Sequence, residues 1–325
     1  MEIDGSNILV TGGAGLIGST TIDLLLREHA PARIVVLDNF VRGTQRNLQQ
    51  ASTDPRLEVI RGDVRNVDDV RAAMRGVDTV LHMAALRITA CAAEPREAME
   101  VMCDGSFNVV DQAREAGVRR VVASSSASIY GLADVFPTPE THPPYNDQTW
   151  YGATKTFLEG MLRAYRAMYG LEYVTLRYFN VYGPRMDVHG RYTEVLIRWM
   201  ERIARNEAPL IFGDGRQTMD FVHVEDIARA NVLALLTDNA DQAYNVGSGV
   251  ETSLLELAAA LLQVMGANLV PEHGPERSVN PVSRRLASTE KAERLLGFKA
   301  RIDLRAGLDS LVQWWEANRS LGAAA

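Results

Sequence analysis

The chain has 325 residues, enough for one large domain or two modest ones with real cores. Its 46% apolar and 23% charged residues are ordinary for a globular protein in water, and a net charge of −7 argues against a nucleic-acid surface as the main partner. No apolar run approaches the roughly 18 residues that span a bilayer, so no membrane partner is expected.

Six short β-branched runs come first: 7–12, 33–38, 57–63, 79–85, 120–126 and 173–180. They are almost continuously apolar, as strands buried on both faces should be. Helical patterns over 15–29, 41–51, 66–75, 94–116 and 151–169 lie between them. This alternation predicts an α/β fold, a parallel sheet with helices on both faces and right-handed crossovers. Beyond residue 180 the alternation loosens. Helical patterns follow at 191–206, 224–237, 253–265, 288–296 and 305–318, with short strand candidates at 210–215, 220–224 and 243–248. Two segments rich in Pro and Gly, 136–147 and 271–283, are long enough to be pocket walls or lids. Cys91 and Cys103 show no CxxC spacing, which predicts free thiols in a reducing compartment. The start "MEIDGSN" has no secretory character, and the expected location is the cytoplasm.

The stretch "ILVTGGAGLIGST" sets a glycine-rich turn between the first strand and the first helix. Gly12, Gly15 and Gly18 permit a tight turn, close approach of a pyrophosphate and close helix–strand packing. Leu16 and Ile17 open the helix, whose free N–H groups suit an anion. Asp38 ends the second strand twenty residues after Gly18, where a carboxylate accepts bonds from ribose hydroxyls and repels a 2′-phosphate. NAD is therefore expected, although Arg42 and Arg46 lie close by. Asn39, Asp63 and Val64 are candidate contacts for the adenosine end.

Tyr151 and Lys155 stand at i and i+4 on one helix face. A free phenol is a poor base at neutral pH, and neighbouring cations lower its pKa. Lys155 and an oxidised nicotinamide would supply two such charges, making Tyr151 a general base for a hydroxyl proton. "VVASSSASIYG" ends the fifth strand in three serines. Ser126 is the candidate for a bond to the reacting oxygen, and Ser124 for a backbone or cofactor contact. The six histidines show no ligand spacing, so no metal is expected, and His82 reads as a core residue.

"TGGAGLIG", "HMAA" (82–85), "SSSASIYG", "YGATK", "RYFNVYGPR" (177–185) and "DFVHVEDIARA" (220–230) together resemble the extended short-chain dehydrogenase/reductase family. Within it, the nucleotide-sugar epimerase/dehydratase branch is the nearest likeness. The resemblance implies a Rossmann-type doubly wound parallel sheet with a smaller α/β substrate domain. It places the NAD-binding domain at 1–180, with 220–248 returning to it, and the nucleotide-sugar domain at 181–219 and 249–325. It implies a Ser126–Tyr151–Lys155 triad, cofactor contacts at Ala84, Ala85 and Tyr178, and a homodimer built from the helices near 94–116 and 151–169. For the substrate it implies Asn180, with Arg87 near the pyrophosphate or the sugar.

Two departures from the family pattern bear on the substrate. Met219 holds the place of an arginine that usually clamps phosphate, which leaves Arg216 or Arg277 as substitutes. Arg284 and Arg285 stand where the family often has a tyrosine, cysteine or small residue, and an arginine facing the sugar would suit a uronate. Branch members that dehydrate or decarboxylate carry an acid just after the catalytic hydroxyl residue, whereas Ala127 and Ser128 stand here. The expected reaction is thus 4-epimerisation of a UDP-hexose or UDP-uronate through a 4-keto sugar. A 4-keto-sugar reductase, a 4,6-dehydratase and a non-catalytic dinucleotide sensor are the alternatives.

Overall fold

Apolar strands alternating with amphipathic segments bury best as a parallel sheet between two helix layers. The computed structural model describes residues 2–188, 195–275 and 282–319. The strands are β1 (Asn7–Thr11), β2 (Arg33–Asp38), β3 (Leu57–Arg61), β4 (Thr79–His82), β5 (Arg120–Ser126), β6 (Glu172–Tyr178), β7 (Asn180–Tyr182), β8 (Leu210–Phe212), β9 (Thr218–His223), β10 (Gln242–Val246), β11 (Glu251–Ser253) and β12 (Glu272–Gly274). The α-helices are α1 (Leu16–Glu28), α2 (Val67–Ala73), α3 (Ile88–Ala93), α4 (Pro95–Met99), α5 (Gly105–Glu115), α6 (Trp150–Tyr169), α7 (Val195–Ala204), α8 (Val224–Leu236), α9 (Leu254–Val264) and α10 (Leu304–Asn318).

Seven strands form one all-parallel sheet in the order β10-β6-β5-β4-β1-β2-β3. This is a Rossmann-type, doubly wound sheet. Strand order reverses between β1 and β4, and the crevice beyond the carboxyl ends at such a point is where ligands bind in open α/β sheets. Along β1, Ile8 and Val10 enter the core shared with α1 and α8, while Leu9 enters the core shared with α2, α5 and α6. That division is the two-residue period of a strand buried on both faces. A third core, around Trp199, Leu261 and Leu311, joins α7, α9 and α10 in a smaller lobe. Two short sheets, β11-β9-β7 and β12-β8, belong to that side.

Several expected elements differ. The helical pattern at 41–51 is only a short 3₁₀ turn, Gln45–Leu48. Gly43 sits tightly against Ala14, and Asn47 Nδ2 donates to the Ala14 carbonyl, so side-chain bonds to the glycine loop displace helical ones. The pattern at 288–296 yields a π-type turn at Ala292–Leu296, capped by Gly297. The run 94–116 contains a π segment, Glu100–Asp104, between α4 and α5. β3 is the sheet edge and is largely exposed, so its apolar look did not mean burial on both faces. The run 173–180 splits at Phe179, and β7 joins a different sheet. β11 and β12, three residues each, are too short to show a period.

The charges inside the sheet are paired. Arg177 on β6 meets Glu159 of α6 at 2.7 and 2.9 Å, and Ser125 Oγ donates to the same carboxylate at 2.6 Å. Arg177 also donates to the Tyr130 hydroxyl and the Glu140 carbonyl, both at 2.9 Å. Removing one partner of such a buried pair leaves an uncompensated charge. Glu159→Ala should therefore lower stability by about 3–5 kcal/mol in urea unfolding. A loss below about 1 kcal/mol would mean the pair behaves like an exposed one.

Candidate active site

A cleft of about 980 Å³ runs across the carboxyl ends of the central strands, at the upper end of the usual size for small-molecule sites. Its cofactor side is the glycine turn. Gly12 has φ +69°, and a Cβ there would lie 2.8 Å from the Ala84 nitrogen. A Cβ on Gly18 would lie 2.6 Å from the Gly12 carbonyl oxygen, so this residue sets helix–strand packing. Gly15 precedes α1 and offers no side-chain cap, so the first N–H groups of the helix are left to a ligand. Leu16, Ile17, Val64, Ala84 and Ala85 line the same cleft.

Asp38 welds this turn to β2. Its two carboxylate oxygens accept from Ala14 N–H at 2.9 Å and Phe40 N–H at 2.8 Å. Each oxygen keeps a further lone pair for a ribose hydroxyl. Asp63 is bound by Arg65 at 2.8 and 3.0 Å and by Asn39 Nδ2 at 2.9 Å, and the Arg65 fork holds its carboxyl down to about 2. Asn39 is thus tied to Asp63 while both line the cleft. The uncapped turn, the missing Cβ atoms and Asp38 fit a dinucleotide.

Opposite this turn stand Ser126, Tyr151 and Lys155, and all three line the cleft. Thr149 caps α6 by accepting from Gly152 N–H at 3.1 Å. A Cβ on Gly152 would fall 2.3 Å from Asp147 Oδ1, so the glycine of "YGATK" admits that carboxylate. One turn further, Lys155 is buried and its Nζ donates to the Ser124 carbonyl at 2.6 Å. Burial pushes the ammonium down to about 8. Ser126 Oγ accepts from Ser128 N–H at 3.1 Å and is hydrogen-bonded to Tyr151.

Burial raises the Tyr151 phenol, and the Ser126 bond, Arg42 and Arg285 act against that rise. Lys155 was expected to act directly on the phenol. Its ammonium lies instead over the ring, 5.8 Å from the centroid, and is spent on the Ser124 carbonyl. The cations that reach the phenol therefore come from loops distant in sequence.

The remaining expected residues divide. Asn180 lines the cleft and its Nδ2 donates to the Asp220 carbonyl at 3.3 Å. Tyr178 lines the cleft, and its hydroxyl donates to Asn231 at 2.6 Å. Arg87 lines it too, 3.9 Å from Asp187. Arg285 is buried and lines it beside Tyr151. Arg216 is exposed and outside the cleft lining, because the turn after β8 carries it to the surface, and Met219 pairs with Thr252 in β9 and β11. Arg277 lies outside the described residues. His82 is a neutral core residue, bonded to Thr11 and Ser106 and pushed down to about 3 by burial.

Sequence reasoning missed Arg185 and Asp147. Arg185, in the left-handed region at φ +75°, lines the cleft and pairs with Asp23 of α1. Its motif, "RYFNVYGPR", was visible, but its partner on α1 was not. Asp147 lay in a Pro-rich loop with no period to place it.

The chain belongs to the NAD dependent epimerase/dehydratase family, whose model matches residues 8–247. A putative UDP-glucose 4-epimerase from Methanocaldococcus jannaschii is 35% identical over 314 residues, covering 96% of this chain and 99% of that protein. The UDP-glucose 4-epimerase of Thermotoga maritima, solved with UDP-glucose, superimposes with a TM-score of 0.89 at 31% identity, over 96% of this chain and 99% of that one. A UDP-N-acetylglucosamine 4-epimerase from Methanobrevibacter ruminantium, solved with UDP-N-acetylmuramic acid, gives 0.91 at 29% identity, over 97% and 99%. The cofactor of this family is NAD.

The buried Lys155 has a pH signature. Its ordinary value is 10.5 and its folded value about 8. Between these values the unfolded chain holds the proton and the folded one does not, so stability rises with pH. Relative to Lys155→Met, the cofactor-free protein should gain about 1.4 kcal/mol per pH unit over that window in denaturant titrations. A flat difference would mean the ammonium stays protonated throughout.

Proposed function

We infer that this protein is an NAD-dependent UDP-sugar 4-epimerase. The observation that carries this reading is the facing of the Ser126–Tyr151–Lys155 group and the glycine turn across one cleft. Gly12, Gly15, Gly18 and Asp38 would hold NAD, and the nucleotide sugar would share the same cleft, which Tyr151 also lines. Bound there, NAD would supply the hydride acceptor and donor for C4.

The protein's residues handle the proton and the sugar. Tyr151 removes the proton of the 4-hydroxyl and later gives it back to the 4-keto oxygen. Ser126, fixed by Ser128 N–H, holds the reacting oxygen by hydrogen bonding. Lys155, pinned to the Ser124 carbonyl, fixes the start of α6 with its amine over the Tyr151 ring. Asn180 and the nucleotide half of the cleft anchor the substrate while the sugar turns. No acid follows Ser126, since Ala127 and Ser128 stand there, and this favours epimerisation over 4,6-dehydration.

Two finer readings follow. Phe107 on α5 and Phe157 on α6 are 47% and 45% exposed, and Phe107 stacks edge-on against Tyr165. Such a face suits pairing of two α5–α6 faces in a homodimer. Cys91 and Cys103 are free and buried, with the Cys91 thiol pushed up to about 11, consistent with a cytoplasmic protein.

Incubation with NAD and UDP-glucose or UDP-galactose, followed by separation of the C4 epimers, tests the reaction. Tyr151→Phe should lower turnover by about 10²–10⁴-fold and leave nucleotide binding in place. Retention of more than a tenth of the activity would remove Tyr151 from the proton step. Sedimentation should give a dimer for the wild type and a monomer for Phe107→Glu/Phe157→Glu; a monomeric wild type would sink the dimer.

A further inference from the structure

We propose that Arg285 recognises a carboxylate on the sugar, so that the preferred substrate is a UDP-uronate, in which C6 is a carboxylate. This rests on the epimerase reading above. Residues 284–287 run extended between two partners. Thr218 bridges Arg284, Arg285 N–H donates to the Thr218 carbonyl at 2.9 Å, and Ala287 bridges Thr138. Ala287 N–H also donates to the buried Asp220 carboxylate at 3.2 Å. In an extended segment consecutive side chains point to opposite faces.

The two arginines have opposite fates. Arg284 faces outward, where Glu251 binds it at 2.6 and 2.8 Å and the Phe136 ring stacks on it at 4.6 Å. Arg285 faces inward and is 8% exposed, lining the cleft with Ser126, Ser128 and Tyr151. Among the described residues its guanidinium makes no ion pair. The acid that attracts it is Asp147, whose Oδ1 already accepts from Thr149 N–H at 2.9 Å and the Thr149 hydroxyl at 3.2 Å. Burial lowers the Arg285 guanidinium to about 10, a sign of how poorly its charge is compensated. A buried cation of this kind is stable only where an anion completes it.

The anion follows from the chemistry at Tyr151, which addresses O4. The diphosphate hangs from C1, across the ring from C4. Of the two carbons beside C4, C3 bears a hydroxyl and C5 bears C6. On an unsubstituted hexose, where C3 carries only a hydroxyl, C6 oxidised to a carboxylate brings a negative charge next to the reacting carbon. A planar guanidinium matches that carboxylate with two parallel hydrogen bonds.

The test compares kcat/KM for UDP-glucuronate and UDP-glucose, with NAD present and the C4 epimers separated. The wild type should prefer the uronate. Arg285→Gln should lower the uronate-to-glucose ratio by about 100-fold, as expected on removing one partner of a buried charge pair. Arg284→Gln should leave the ratio unchanged. Equal losses on both sugars in Arg285→Gln would overturn the assignment and move Arg285 to the diphosphate. Should Arg285→Gln fail to fold, as read by circular dichroism, the wild-type ratio decides: a preference for UDP-glucose overturns the carboxylate contact and leaves the epimerase standing. UDP-N-acetylglucosamine is the control: turnover of it alone overturns the carboxylate contact and leaves the epimerase standing, and turnover of none of the three overturns both.

Discussion

Two buried bonds between the start of α6 and the end of β5 hold the rest of the site in place. Lys155 donates to the Ser124 carbonyl, and one turn later Glu159 accepts from Ser125. Both are charge-assisted and dry, so slippage of the helix would leave a buried charge without a partner. With α6 fixed in register, Tyr151 at its first turn stands beside Ser126. The same carboxylate reaches Arg177 on β6, so the serine strand and its neighbour are clamped by one acid.

The smaller lobe is fastened to the sheet by carboxylates that accept backbone N–H groups. Asp220 takes those of Ser248, Gly249 and Ala287, and Asp226 takes those of Arg301 and Ile302. Both acids belong to "DFVHVEDIARA". Between them they tie three distant segments to β9 and α8, and the Asp220 bond to Ala287 N–H holds the segment that carries Arg285. Side chains add to these donors: Ser248 Oγ donates to Asp220 at 2.7 Å and Arg229 pairs with Asp226 at 3.3 Å, so each buried carboxylate is held by several partners.

The electrostatics of the cleft run against the net charge of the chain. Arg42, Arg46, Arg87, Arg185 and Arg285 line it in a protein of charge −7. Asp38, Asp63, Glu97 and Asp187 line it as well, and Arg185 is engaged with Asp23 and Arg87 lies near Asp187, so the excess of positive charge is modest and local. A substrate carrying a diphosphate enters a local field that the sequence total conceals. The phenol of Tyr151 is sensitive to that field because its burial strengthens every charge near it.

The family, the parallel sheet, the glycine turn and the Ser–Tyr–Lys group were legible in the sequence. Each is a local device: a period-two apolar run, a turn that needs missing Cβ atoms, an i,i+4 pair. The misreadings at 41–51 and β3 have a shared cause, since neither Gly43 against Ala14 nor a place at the sheet edge is written in a window of neighbouring residues. The sequence by itself determined which chemistry is present. Only the tertiary structure decided that Lys155 binds Ser124, that Arg216 lies outside the cleft, and that of two adjacent arginines one is quenched by Glu251 while the other is buried beside Tyr151. Those outcomes depend on burial and on partners tens to hundreds of residues away, and such charges are fixed by desolvation and long-range pairing that no local pattern encodes.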